Sequence, residues 1–146
     1  MKYYMAYGSN LNVEQMAYRC PDAVPVGTAT LNGWELRFNG VLTIERKEGA
    51  HTPVGIWKIS KEDERNLDMY EGYPRLYRKE VMKVPVTDKN GNTEELNCIV
   101  YIMNEGRRGK LPPSSSYYYT VADGYWDFKF DTKILNDAVW RSRRSC

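Results

Sequence analysis

Histidine and cysteine are scarce in this chain of 146 residues, which has one histidine, His51, and three cysteines, Cys20, Cys98 and Cys146. A single histidine excludes a histidine-rich metal centre, and three scattered cysteines make neither a disulfide framework nor a zinc site. Cys98 lies in a strand-like run and is expected in the core. Cys146, the last residue, is expected to be exposed. No apolar run approaches the ~20 residues that a membrane-spanning helix needs, so no membrane partner is expected. The start, Met1-Lys2-Tyr3-Tyr4, lacks the apolar segment of a secretory signal, and the expected location is cytoplasmic. Charge of neither sign is in excess: 21 Lys and Arg against 19 Asp and Glu leave a net charge of +2. Two basic runs, Arg107-Arg108-Gly109-Lys110 and Arg141–Arg144, read as a solvated loop and tail, and nucleic acid is not expected as a partner. No Gly-x-Ser-x-Gly elbow accompanies Ser9, which argues against a Ser-His-Asp hydrolase. Repeats, low-complexity stretches and linkers are absent too. One domain over residues 1–146 is therefore expected.

What the chain does have is 42% hydrophobic residues, enough for a core, and many tyrosines, 12 of its 19 aromatics. Lys2–Ala6 reads as a strand and Asn12–Tyr18 as a helix, with Val13, Met16 and Ala17 at helical spacing. Val24–Leu31 and Trp34–Phe38 read as strands around Asn32-Gly33, a strong hairpin signal. Val41–Glu45 and Thr52–Ile59 read as a second hairpin around Lys47–Ala50. Ser60, with Asp63 three residues on, starts a helix that Gly72 and Pro74 end. Leu76–Val86 and Thr93–Met103 form a long hairpin, followed by a loop over Asn104–Ser116 and a short helix over Tyr117–Gly124. Asp131 is expected to cap a last helix with Ile134, Leu135, Ala138 and Val139 on its apolar face. Six or so strands, mostly in antiparallel hairpins with a few helices, predict an α+β domain built on a small closed or nearly closed barrel.

Two segments break local rules. Tyr7-Gly8-Ser9-Asn10-Leu11 joins the first strand to the first helix, with Asn10 or Asn12 available as cap. Unpaired amides in such a turn can hold a carboxylate, although an ordinary capped turn has the same composition. Glu71 falls at the end of the Ser60–Gly72 helix, where a negative charge opposes the helix dipole by roughly 0.3–1 kcal/mol. Asp68 adds to that conflict. Leu67 and Glu71, four apart, share a face, so Glu71 sits at the rim of the core unless it turns out to water.

Together these segments resemble the gamma-glutamylcyclotransferase-like family, the fold that includes the avirulence-induced-gene-like proteins. Tyr7-Gly8-Ser9-Asn10-Leu11 reproduces the family's substrate-binding loop residue for residue. Gly55-Ile56-Trp57 and the later Glu71-Gly72 correspond to its strand and helix, with Gly and Trp one residue closer than the family pattern. Tyr77 follows, and Pro113-Ser114-Ser115-Ser116-Tyr117 with Gly124 completes the set. The resemblance implies a mixed, mostly antiparallel barrel-like sheet flanked by helices, with a cavity at one mouth. It also implies an intramolecular cyclisation of a γ-glutamyl amide to 5-oxoproline and a free amine.

In that reading Glu71 is the general acid and base. Tyr7, Gly8, Ser9, Asn10, Leu11, Tyr77 and Tyr117 bind the γ-glutamyl substrate, and no metal or cofactor takes part. Tyr117 stands in a run of three tyrosines and leads Tyr118 and Tyr119 on spacing alone. The loops Arg107–Ser116 and Tyr125–Phe130 are expected on the leaving-group side. The Ser9-Asn10 pair argues against the branch acting on γ-glutamylamines, whose loop reads Gly-Thr-Leu. That branch and a non-catalytic binding protein with a relic site remain the alternatives. The identity of the leaving amine and the oligomeric state stay open in the sequence.

Overall fold

The computed structural model describes residues 1–144. The chain runs β1 (Lys2–Ala6), a 3-10 turn (Ser9–Leu11), α1 (Val13–Arg19), β2 (Val24–Asn39), β3 (Val41–Ile59), α2 (Lys61–Glu71), β4 (Tyr77–Thr87), β5 (Thr93–Met103), α3 (Ser115–Asp127) and α4 (Lys133–Arg143). The five strands close into a barrel in the order β1-β3-β2-β4-β5. All neighbours are antiparallel except β1 and β5, which pair in parallel through Tyr3 with Cys98 and Tyr4 with Ile99. This is the α+β barrel the hairpins predicted. No helix among the described residues is long and apolar enough to cross a membrane.

The first two hairpins are a correction. Asn32-Gly33 does not reverse the chain, and neither does Lys47–Ala50; β2 and β3 are single strands of 16 and 19 residues. Leu31 and Leu36 are both buried. Five residues apart, they would face opposite sides of a regular strand. Gly33, at φ +83°, takes up the extra residue as a bulge. The register jumps there from Asn32 opposite His51 to Trp34 opposite Arg46. Asn-Gly supplies a positive φ, which serves a bulge as well as a turn, so the local signal fits both. The chain reverses instead at Asn39-Gly40, with Gly40 at φ +79° and Phe38 paired with Leu42.

The helices follow their end signals more closely. Ser60 and Asp63 form a reciprocal capping box on α2, and Gly72 closes it in the left-handed conformation. Asn12, not Asn10, caps α1 by accepting from the Gln15 amide. α3 is longer than expected and starts two residues earlier, because Ser114 caps it by accepting from the Tyr117 amide. Asp131 accepts from the Lys133 amide, while Thr132 holds the cap position of α4 without a side-chain bond.

Met5, Leu11, Met16, Ile56, Leu67 and Leu135 are fully buried, so β1, the turn and three helices share one core. Cys98 is buried in it as expected, and Cys146 lies outside the described residues. α3 lies against the Ser9–Leu11 turn at Gly124. A methyl there would come within 2.7 Å of the Asn12 nitrogen and the Leu11 carbonyl carbon. Backbone cannot yield as a side chain can. Gly124→Ala should therefore lose more by overpacking, ~1–3 kcal/mol, than the ~1 kcal/mol alanine gains in a helix. A lower urea midpoint for this variant is the expected outcome, and an unchanged or raised midpoint would refute the close approach.

Candidate active site

The turn after β1 is held by its own backbone and by three side chains. The amides of Leu11 and Asn12 donate to Gly8 O and Ser9 O at 3.0 Å each. Among the described residues this leaves the amides of Gly8, Ser9 and Asn10 without a protein acceptor. Asn10, 3% exposed, is held through its side chain and its carbonyl. Its side-chain amide donates to the Tyr4 hydroxyl at 2.9 Å, its side-chain oxygen accepts from Arg19, and its carbonyl accepts from Trp57 Nε1 at 3.0 Å. Leu11 is buried beneath the turn, where its Cδ2 would lie 2.8 Å from a methyl on Gly55. It supports the loop from the core and does not line the cavity above it. Asn10 and Trp57 thus act on the turn's shape, which leaves its amides as the groups free for a ligand.

α2 brings Glu71 over this turn. The dipole conflict at its last turn is answered on one side only. Asp68 accepts from the Tyr101 hydroxyl at 2.6 Å and pairs with Lys79 at 2.8 Å, so its charge is used to dock the helix end on β4 and β5. Glu71 has no hydrogen-bond partner among the described residues. Burial pushes its carboxyl from 4.5 up to about 7, against the opposing pull of the Arg19 charge.

One cavity of about 20 Å³ is lined by Tyr4, Tyr7, Gly8, Ser9, Asn10, Leu42, Glu71, Tyr77, Tyr101 and Tyr117. Room for about one water is all it offers. Ser9, which lines it, is hydrogen-bonded through Oγ to the Tyr70 hydroxyl at 2.8 Å. The Arg19 guanidinium lies 3.5 Å from the centre of the Tyr70 ring.

The tyrosines divide by what their hydroxyl protons do. Tyr7 donates to Tyr101 O at 2.6 Å and Tyr77 donates to Leu42 O at 2.5 Å. Both protons stitch the barrel wall and are not offered to the cavity. Tyr117 instead accepts from the Leu42 amide at 3.1 Å, which leaves its own proton to give. Burial raises the pKa of all three, so they stay neutral. Of the tyrosine run only Tyr117 lines the cavity; Tyr118 donates to Asn136 and Tyr119 is exposed.

The chain matches the family model described as gamma-glutamyl cyclotransferase, AIG2-like, over residues 4–128. It belongs to that family. Proteins named gamma-glutamylcyclotransferase from Bos taurus and Homo sapiens are 31% and 30% identical, over 83% of this chain and 68% of theirs. A solved structure titled gamma-glutamyl cyclotransferase superposes with a TM-score of 0.75 at 26% identity, covering 94% of this chain and 85% of that one. YkqA from Bacillus subtilis shares the fold at a TM-score of 0.72 and 21% identity, over 97% of this chain and 54% of its own.

Within this gamma-glutamyl cyclotransferase, AIG2-like domain, Tyr4, Leu42, Tyr101 and Arg19 stand at the site without having been expected there. Tyr4 carried a signal, since it alternates inward two residues before Ala6 on β1. Leu42, Tyr101 and Arg19 reach the site only through pairing and packing between distant segments. No residue of the Tyr125–Phe130 segment, expected on the leaving-group side, lines this cavity. Tyr125 is fully buried, Phe128 and Phe130 stack at 5.8 Å, and Phe128 meets Trp57 edge-on at 5.7 Å. The two basic runs also converge, which the sequence did not suggest. Arg108, Lys110, Arg141 and Arg144 line a separate groove of about 550 Å³ together with Glu35 and Glu45.

The raised carboxyl pKa has a stability consequence. Below pH 4.5 Glu71 is neutral folded and unfolded, and it adds no pH dependence. Between 4.5 and about 7 the unfolded chain releases the proton while the folded chain keeps it, so stability falls as pH rises and then levels off. Glu71→Gln removes this titration. The stability of the Gln variant relative to the native chain should therefore grow from pH 4.5 to 7 and stay constant above. Urea unfolding at a series of pH values checks this, and a flat difference would mean the carboxyl is not perturbed.

Proposed function

We propose that the chain cyclises a γ-glutamyl amide to 5-oxoproline and a free amine, with Glu71 carrying the proton. Family membership and the cyclotransferase relatives make it a cyclotransferase enzyme and not a hydrolase. The observation that carries the finer reading is a carboxyl with a pKa of about 7 facing a water-poor cavity beside three unpaired amides. A proton carrier works best when its pKa lies near the working pH.

The reaction needs few parts, because nucleophile and electrophile belong to one molecule and must only be held folded. The Glu71 carboxylate takes a proton from the substrate α-ammonium. The freed amine attacks the γ-carbonyl carbon, a C–N bond forms, and the carbonyl electrons move to oxygen. The oxyanion then collapses, the bond to the leaving nitrogen breaks, that nitrogen receives the proton from Glu71, and the second proton of the new ring nitrogen passes through the freed Glu71 carboxylate to the departing amine, which leaves as an ammonium ion. No water is consumed. The amides of Gly8, Ser9 and Asn10 suit either the substrate α-carboxylate or the oxyanion, and the Tyr117 hydroxyl supplies a further donor. Tyr7 and Tyr77 shape the wall. A substrate far larger than one water requires Tyr70 to swing off Ser9, and its return excludes solvent during reaction.

Glu71→Gln should lose at least ~10²-fold in 5-oxoproline release from a panel of γ-glutamyl compounds. A chelator should leave the native rate unchanged. Native-like turnover in the Gln variant would sink the assignment. Failure of every compound in the panel would favour a binding protein with a relic site.

A methyl on Gly8 would stand 3.4 Å from Leu42 Cδ1 and 3.5 Å from the Tyr117 hydroxyl, so the larger valine fills the cavity. Gly8→Val should abolish calorimetric binding of 5-oxoproline, whereas Ser9→Ala should weaken it only mildly. Unaltered binding to the valine variant would make the loop a structural turn only.

A further inference from the structure

We propose that Arg19 is a positioning residue of this site, its guanidinium fixing the Ser9-Asn10 turn and the Tyr70 ring in one arrangement and setting a positive charge against Glu71. Its catalytic consequence rests on the reading of Glu71 as proton carrier; its structural content does not.

Arg19 is the last residue of α1 and joins three elements. Its side chain donates to Asn10 Oδ1 in the turn and to Gln15 Oε1 at 3.1 Å one helical turn back. Its carbonyl accepts from Asn66 Nδ2 of α2 at 3.1 Å. The guanidinium plane stands over the Tyr70 ring at 3.5 Å, while Tyr70 bonds Ser9. A lysine could carry the charge but has no planar fork to stack and bond in this way.

The groups facing Glu71 are otherwise neutral. Tyr4, Tyr7, Tyr77 and Tyr117 come from β1, the segment after it, β4 and α3. Tyr101 comes from β5, and burial raises the pKa of all five. Tyr70 precedes Glu71 on α2. Asp68 and Lys79 lie on the same rim but are paired with each other. Among the described residues Arg19 is thus the one charged side chain acting on the Glu71 carboxyl, and it favours the ionised form. Without it, burial alone would hold the carboxyl protonated to higher pH, and the base form would be scarce at neutrality. The same guanidinium that orders the gate therefore keeps the carboxyl usable.

The two roles separate by substitution. Arg19→Gln keeps a donor for Asn10 and removes the charge. Arg19→Lys keeps the charge and removes the stacking plane. The direct measurement is the Glu71 side-chain carbonyl titration by 13C NMR, assigned with Glu71→Gln, which needs no turnover. The midpoint should rise by roughly one pH unit in Arg19→Gln and stay near the native value in Arg19→Lys. In the 5-oxoproline assay the rising pH limb should move by the same amount in Arg19→Gln. Arg19→Lys should keep the limb but raise KM severalfold, because the gate and turn lose their shared anchor. Tyr70→Phe serves as control: it breaks the Ser9 bond, retains a ring beneath Arg19, and should leave the midpoint unmoved. A midpoint unchanged in Arg19→Gln, or raised equally in Arg19→Lys, overturns the proposal whether or not any substrate is cyclised. A shifted midpoint with no turnover in the native chain would sustain Arg19's placement and refute the catalytic reading alone.

Discussion

The docking of one helix end on the mouth of the barrel is the constraint on which the site depends. α2 ends at Glu71, and what ties that end down is Asp68, bound by the Tyr101 hydroxyl from β5 and by Lys79 from β4. A partly exposed ion pair of this kind is worth only about 0–1 kcal/mol in stability. Its value here is directional. The apolar anchor of the same helix, Leu67, is fully buried and holds α2 against the core without setting its rotation at the last turn. Asp68 supplies that rotation, and Glu71, three residues on, is carried over the cavity as a result. Two carboxylates at a helix C-terminus look like the same electrostatic fault in sequence. In the folded chain one is neutralised by partners and the other is left unpaired.

That unpaired carboxyl would be costly in water-free surroundings if it had to stay charged. It need not, because a pKa of about 7 lets it hold or release the proton as its surroundings require. The neighbouring tyrosines make this possible. They are polar enough to line a cavity and neutral enough not to pin the carboxyl in one form. Tyr7 and Tyr77 spend their protons on backbone carbonyls of neighbouring strands, which makes the wall rigid. The free amides of the turn and the Tyr117 proton are then the donors left facing inward.

The close approaches that assemble this mouth explain otherwise featureless motif positions. Gly55 admits Leu11 and the Phe128 ring, and Gly124 admits the turn's own backbone. Both glycines stand where any side chain would separate the turn from the barrel or from α3. Their role is spatial, and it concerns the site although neither touches the cavity.

The local elements were legible in the sequence because their signals are local. The Ser60–Asp63 capping box, the Gly72 stop, the turn between β4 and β5 and the strand before Tyr7 each depend on residues within a few positions of one another. The family motifs were equally legible, and they named most of the cavity's lining before any contact was known. What failed locally was the Asn32-Gly33 reversal, since a positive φ serves a bulge or a turn and only the pairing of Leu31 with Thr52 and of Leu36 with Ile44 along β3 selects between them. The parallel closure of β1 on β5, the choice of Tyr117 over its neighbours, and the division of hydroxyl protons were likewise decided in three dimensions. So were the convergence of Arg19, Asn10 and Tyr70, and the burial of Tyr125 with Phe128 and Phe130 packed half-buried against the core. Each of these turns on contacts between segments tens of residues apart, where composition and spacing carry no distance information. The sequence by itself determined most of the residues that line this cavity; the tertiary structure alone decided which of their polar groups are left without protein partners.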